Sequence, residues 1–295
     1  MDLLSLDERP IAAFAEHLKK SGGAKPFDFC SLSEGFVYPA RHAPGVLEYF
    51  FFACAHQFGF WTLAGDRWEA PMIAPLDGRA LKGSDFLFRA ATRAMQQNPQ
   101  VFAPASLAVK SNHQLSDIFH DDAGVNPLPM WPEHLALIRG YANWFVDHAT
   151  TPAEVLRRIQ AQPRPLHALL ALLAEIPGYA EDPLQKKAML LAIALENRPE
   201  HFLKVSDPES AVPIIDYHLQ RSALRTGLVR VDDPALRKKL EARDLLSAAA
   251  VDWFFFQNRT RCPETTAPDC PACPVQSICA RETALFQPVF RTTAY

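Results

Sequence analysis

The stretch TPAEVLRRIQAQPRPLHALLALLAEIPGYAEDPLQKKAMLLAIALE, residues 151–196, decides the fold class. Thr151 ahead of Pro152 reads as a helix start, with the hydroxyl as cap and the proline at the first helical position, where its missing N–H costs nothing. Leu166–Ile176 is apolar nearly all round and Lys186–Glu196 repeats that character, as buried helices do. Helical periodicity continues beyond this stretch at Tyr217–Gly227 and Ala235–Phe256. Before it, helices are expected at Pro10–Lys20, Gly45–Phe58, Ser84–Gln97 (capped by Ser84 or Asp85), Ala105–Phe119 and Pro132–His148. Trp61–Ile73 instead alternates around Gly65-Asp66, a hairpin-turn signal. The expected fold is mainly α with one small β-hairpin near residues 61–73, its short helices punctuated by 25 prolines.

A chain of 295 residues with 48% hydrophobic content can bury a full core. Net charge −3 and a pI near 6.4 give no basic footprint for wrapping nucleic acid. The N-terminus, MDLLSLDERPIAAFAEHL, has early acids and no continuous apolar core of a secretory signal. No apolar run approaches the roughly 20 residues needed to span a bilayer. A soluble, cytoplasmic protein without a membrane partner is expected.

Of six cysteines, Cys262, Cys270, Cys273 and Cys279 fall in the run CPETTAPDCPACPVQSIC, with spacing C-x7-C-x2-C-x5-C and prolines after three of them. Disulfide scaffolds are cysteine-dense throughout, so this clustering reads as metal chemistry in a reducing compartment. Four thiolates gathered by tight turns suit either a [4Fe–4S] cluster or tetrahedral zinc. Cys30 and Cys54 stand apart and read as small buried hydrophobes.

The run 262–279 resembles the C-terminal cluster loop of the endonuclease III branch of the helix-hairpin-helix DNA glycosylases, with a first interval one residue longer than usual there. That likeness implies [4Fe–4S] in preference to zinc, and a structural cluster. VPIIDYHLQR, residues 212–221, resembles the aspartate segment of the same glycosylases, which makes Asp216 the catalytic carboxylate with His218 and Arg221 beside it. The reading from residue type alone is that Asp216 caps the helix from Tyr217, and one carboxylate can do both. The hairpin of that family is altered here: Pro177-Gly178 is present, but Ala180-Glu181-Asp182 replaces the second glycine.

The order of several segments is similar to the queuosine salvage family, queuosine 5′-phosphate N-glycosylases with a helix-hairpin-helix-like fold. The segments are FGFW (58–61), LKGSDFLFRAATRA (81–94), LSDIFHDD (115–122), KKAMLLA (186–192) and IIDYHLQRSALRTGLV (214–229). This resemblance spans about Leu47 to Phe256. It implies Asp216 and Lys186 in catalysis, with Phe60, Trp61, Tyr217, His218 and Lys187 lining the substrate. Lys186 and Lys187 read equally as a solvated helix start, and Phe60 and Trp61 as core. Cys54 and Gln57 stand where that family carries an acid and an Asn, and His218 where it has Arg.

The expected organisation is a helical glycosylase-like domain over 1–259 and an iron–sulfur loop and tail over 260–295. The expected activity is hydrolysis of an N-glycosidic bond, releasing queuine or a related base from a small nucleoside 5′-phosphate. The alternative is an iron–sulfur DNA-repair glycosylase acting on damaged bases in duplex DNA.

Overall fold

The computed structural model describes residues 4–20, 27–31, 35–64, 67–214, 216–241, 262, 268–273, 276–277 and 279–285. Of these, the side chains of 63, 64, 67–69, 217 and 239 are outside the description. The chain opens with β1 (Leu4–Leu6), α1 (Glu8–Lys20) and α2 (Val46–Ala55). Four short strands follow: β2 (Trp61–Ala64), β3 (Arg67–Pro71), β4 (Ile73–Leu76) and β5 (Arg79–Lys82). Next come α3 (Gly83–Gln97), α4 (Pro104–Val109), α5 (Asn112–Ser116), α6 (Trp131–Asp147), α7 (Pro152–Gln160), α8 (Pro165–Leu173) and α9 (Lys186–Asn197). Last come α10 (Tyr217–Thr226), β6 (Val229–Val231) and α11 (Pro234–Glu241). The described chain is mainly helical, with small antiparallel strand pairs. No helix among the described residues is long and apolar enough to cross a membrane.

Two compact units divide the chain. The larger comprises Phe27–Leu63, Ala70–Val212 and Arg291–Tyr295. Its centre is α2, whose Phe50, Phe51 and Phe52 are all wholly buried, each burial contributing about 1.5–3 kcal/mol. Phe52 stacks on Phe102 with centroids 4.6 Å apart. Helices α3, α7 and α9 pack around α2. Arg198, just after α9, is also wholly buried. It donates to the carbonyls of Phe29 and Pro39 and pairs with Glu200 at 2.9 Å, tying the segment before α2 to the end of α9. Cys30 and Cys54 are buried, as small apolar side chains would be.

The smaller unit comprises Met1–Pro26, Ala64–Glu69 and Pro213–Phe290. Strand β1 pairs antiparallel with β6. Phe14 of α1 packs on Ala223 and Leu228, and Leu224 packs on Leu240 and Leu285. Helix α10 is buried along its length from His218 to Thr226 although it carries His218, Gln220, Arg221, Ser222 and Arg225. A polar helix buried in this way has to satisfy its side chains internally.

Three local expectations are corrected. The strand content exceeds one hairpin: β4 and β5 form a second, joined by Asp77 at φ 52° and Gly78 at φ 72°. Those left-handed values are what a two-residue hairpin turn needs. The helix expected at Ala105–Phe119 is broken after Val109, because Ser111 and Gln114 form a reciprocal capping box that starts α5. Helix α3 begins one residue early, with Lys82 as N-cap and no side-chain cap bond, so neither Ser84 nor Asp85 caps it. The hairpin turn Gly65-Asp66 and most of 235–256 lie outside the described residues.

Candidate functional site

Asp216 sits at the N-cap of α10 with extended backbone, φ −133° and ψ 178°. Its Oδ1 accepts the amide N–H of His218 at 2.9 Å and of Leu219 at 3.1 Å. The residue is 7% exposed. Two otherwise orphaned amides at the helix start therefore fix its orientation. His218 is likewise buried, with Nδ1 3.3 Å from Nη2 of Arg221. That same Nη2 donates to the carbonyl of Cys262 at 3.4 Å. A run of polar contacts thus leads from the carboxylate's helix turn to the first clustered cysteine. Helix α10 ends at Gly227, where φ is 76°. The Tyr217 side chain is outside the described residues.

All four clustered cysteines line one pocket, together with Arg225, Pro268, Gln276, Arg281 and Thr283. Each is partly exposed. Burial pushes the Cys279 thiol up, opposed by the Arg281 amide, and its three sister cysteines add to the rise. Cys270–Ala272 makes a short 3₁₀ turn, and Cys273 N–H donates to the Cys270 carbonyl at 3.1 Å. Among the described residues no group of three or more His, Cys, Asp or Glu is already arranged to hold a metal ion. The donor set still fits a thiolate-ligated cluster: four cysteines line one space, with the cations Arg225 and Arg281 in the same lining.

The other site candidates belong to the larger unit. Lys186, at the start of α9, donates Nζ–H to the Gln57 carbonyl at 3.2 Å. Lys187, wholly buried, donates to the Ala55 carbonyl at 3.3 Å and stands 5.3 Å over the Phe58 ring. Both ammonium groups thus meet carbonyls at the C-terminal end of α2, where helix polarity favours cations. Burial pushes Lys187 down to about 8, against the pull of Asp182 and Glu181. Trp61 is 5% exposed, whereas Phe60 is half-buried. A Cβ on Gly83 would lie 3.1 Å from that of Phe60.

Beside these lysines lies a pair that sequence reasoning missed. His56 and His134 meet Nδ1 to Nδ1 at 3.1 Å, both 1% exposed. Phe58 stacks on His134 with centroids 4.1 Å apart. Neither Nε2 has a hydrogen-bond partner among the described residues. Burial, helped by Lys187, pushes His134 down to about 3. His56 falls well below its ordinary value through burial, then through His134 and Lys187.

The turn between α8 and α9 retains Gly178 at φ 99°, and a Cβ there would lie 2.8 Å from that of Ala55. Its amide N–H, the kind of group that would grip a phosphate, donates to Glu181 Oε2 at 2.7 Å. Compared with protein-family models and with curated proteins, the chain matches none.

Proposed function

We propose that the protein hydrolyses an N-glycosidic bond, releasing queuine or a related modified base from a nucleoside 5′-phosphate, with Asp216 as its catalytic carboxylate. The observation that carries this reading is the buried Asp216 at the head of α10, held by the His218 and Leu219 amides. Breaking the bond between C1′ and the base nitrogen leaves positive charge on the ribose. A carboxylate fixed near C1′ stabilises that charge or takes a proton from the incoming water. Water supplies the hydroxyl at C1′ and the departing base takes up the proton, so the atoms balance. Rigidity matters here, since a carboxylate already oriented by amides reorganises little as charge develops.

Cys262, Cys270, Cys273 and Cys279 are proposed to hold a [4Fe–4S] cluster, which would clamp the chain end through its four covalent ligands. The shared pocket supports that assignment. Phe60, Trp61, His218 and the two lysines are secondary to the proposal, which rests on Asp216.

The test is chromatographic detection of free base after incubating queuosine 5′-phosphate with anaerobically purified protein. Release supports the reading. No release, together with cleavage of a damaged base from duplex DNA, would transfer the same carboxylate to a repair glycosylase.

A further inference from the structure

Arg225 lies on the last turn of α10 and is 5% exposed. Its Nη1–H donates to Cys262 Sγ at 3.4 Å, its Nε–H to the Leu285 carbonyl at 3.0 Å, and its Nη2–H to the Thr283 carbonyl at 3.5 Å. Its own carbonyl accepts the Glu282 amide N–H at 3.1 Å and lies 3.6 Å from Cys279 Sγ. One residue therefore touches the first and last of the four clustered cysteines, through side chain and backbone respectively. The two carbonyls aim the guanidinium fork at the sulfur, so its direction does not depend on the sulfur alone.

A guanidinium is a permanent cation with rigid donor geometry. Its desolvation is costly unless charge or dipoles return the energy. Four thiolates around a [4Fe–4S] core make a dianion, which becomes a trianion on gaining one electron. A buried cation at hydrogen-bonding distance from a ligand sulfur stabilises the trianion more than the dianion. Hydrogen bonds to sulfur and net charge are among the protein's means of setting such a potential.

We infer that Arg225 is a positioning residue for the cluster, orienting Cys262 and holding the reduction potential above the value the four thiolates alone would give. The inference rests on the iron–sulfur reading of the cysteine pocket and assigns one named side chain its electrostatics.

The experiment compares the full chain with Arg225→Gln and Arg225→Lys, each purified anaerobically and reconstituted with iron and sulfide. Iron and sulfide content is measured first, then the midpoint potential by film voltammetry. Arg225→Gln should lower the potential by about 59 mV or more, a tenfold shift in relative affinity for the reduced form. Arg225→Lys, which keeps the charge without the fork, should fall between. Release of iron to a chelator should be faster in Arg225→Gln than in the parent.

A purely structural role predicts something else. The carbonyl bonds would be lost and the chain would melt earlier, but the loaded fraction would keep the parent potential. An unchanged potential in Arg225→Gln overturns the inference while leaving the cluster in place. Zinc without iron in the parent chain overturns both. Should Arg225→Gln fail to fold, Arg225→Met, which keeps much of the side-chain volume without the charge, carries the test, because an unchanged potential with faster iron release would show packing and not electrostatics.

Discussion

Acidification should destabilise the larger unit through the His56–His134 pair well before its carboxylates protonate. At 3.1 Å between Nδ1 atoms, one imidazole must donate Nδ1–H and the other accept, so the bond cannot survive protonation of both rings, and burial disfavours protonation of either. Burial pushes His134 down to about 3 and His56 well below its usual value. In the unfolded chain both take up a proton near pH 6.5. Because the folded values are depressed, the unfolded state binds more protons below about 6.5. The stability is complete above that pH and is lost as pH falls towards the folded values. Two such groups cost about 4 kcal/mol between pH 7.5 and pH 5, from a limiting slope of about 1.4 kcal/mol per pH unit each. Urea unfolding followed by tryptophan fluorescence at stepped pH measures this. The double variant His56→Leu/His134→Leu removes both partners together and should be nearly pH-independent over that window. His134→Leu alone should cost about 1–3 kcal/mol at neutral pH by stranding the His56 donor or acceptor. Equal slopes for parent and double variant would refute the argument.

Two further substitutions test the packing of the larger unit. Gly178→Ala should cost about 2 kcal/mol or more, since φ 99° is left-handed and the new methyl would meet Ala55 at 2.8 Å. Adding Ala55→Gly should restore the steric part but not the backbone part, read as a thermal-melting cycle. Arg198→Met should lower stability by about 3–5 kcal/mol, because it leaves Glu200 and the carbonyls of Phe29 and Pro39 without their cation. A loss under about 1 kcal/mol, measured by urea unfolding, would show that the Arg198 network is compensated by solvent.

Local chemistry was legible in the sequence. Thr151 caps α7 by accepting the Glu154 amide, Asp216 caps α10, and Gly227 ends it, each through contacts within a few residues. The second hairpin also carried a local signal, Asp77-Gly78 between Leu76 and Arg79, which a reading ending the strand region at Ile73 passed over. The histidine pair had no such signal. His56 follows α2 and His134 lies on α6, 78 residues apart, and only tertiary packing brings their rings together. Arg225 was equally silent: its sulfur contact lies 37 residues along the chain. Lys186 and Lys187 were legible as a helix start, but their engagement with the carbonyls of Gln57, just past α2, and of Ala55, at its end, depends on the packing of α9 against α2. Local rules find caps and turns, whereas buried polar partnerships between distant elements come only with the fold.

The role of Asp216 is tested by comparing the parent chain with Asp216→Asn on queuosine 5′-phosphate, recording base release and thermal midpoint together. Asparagine is itself a good N-cap, so the stability change should stay within about 1 kcal/mol. Nearly all release should be lost from a folded protein, as expected when the charged group facing the developing oxocarbenium is neutralised. Release at the parent rate from Asp216→Asn would contradict that role and leave Asp216 as the cap of α10 alone.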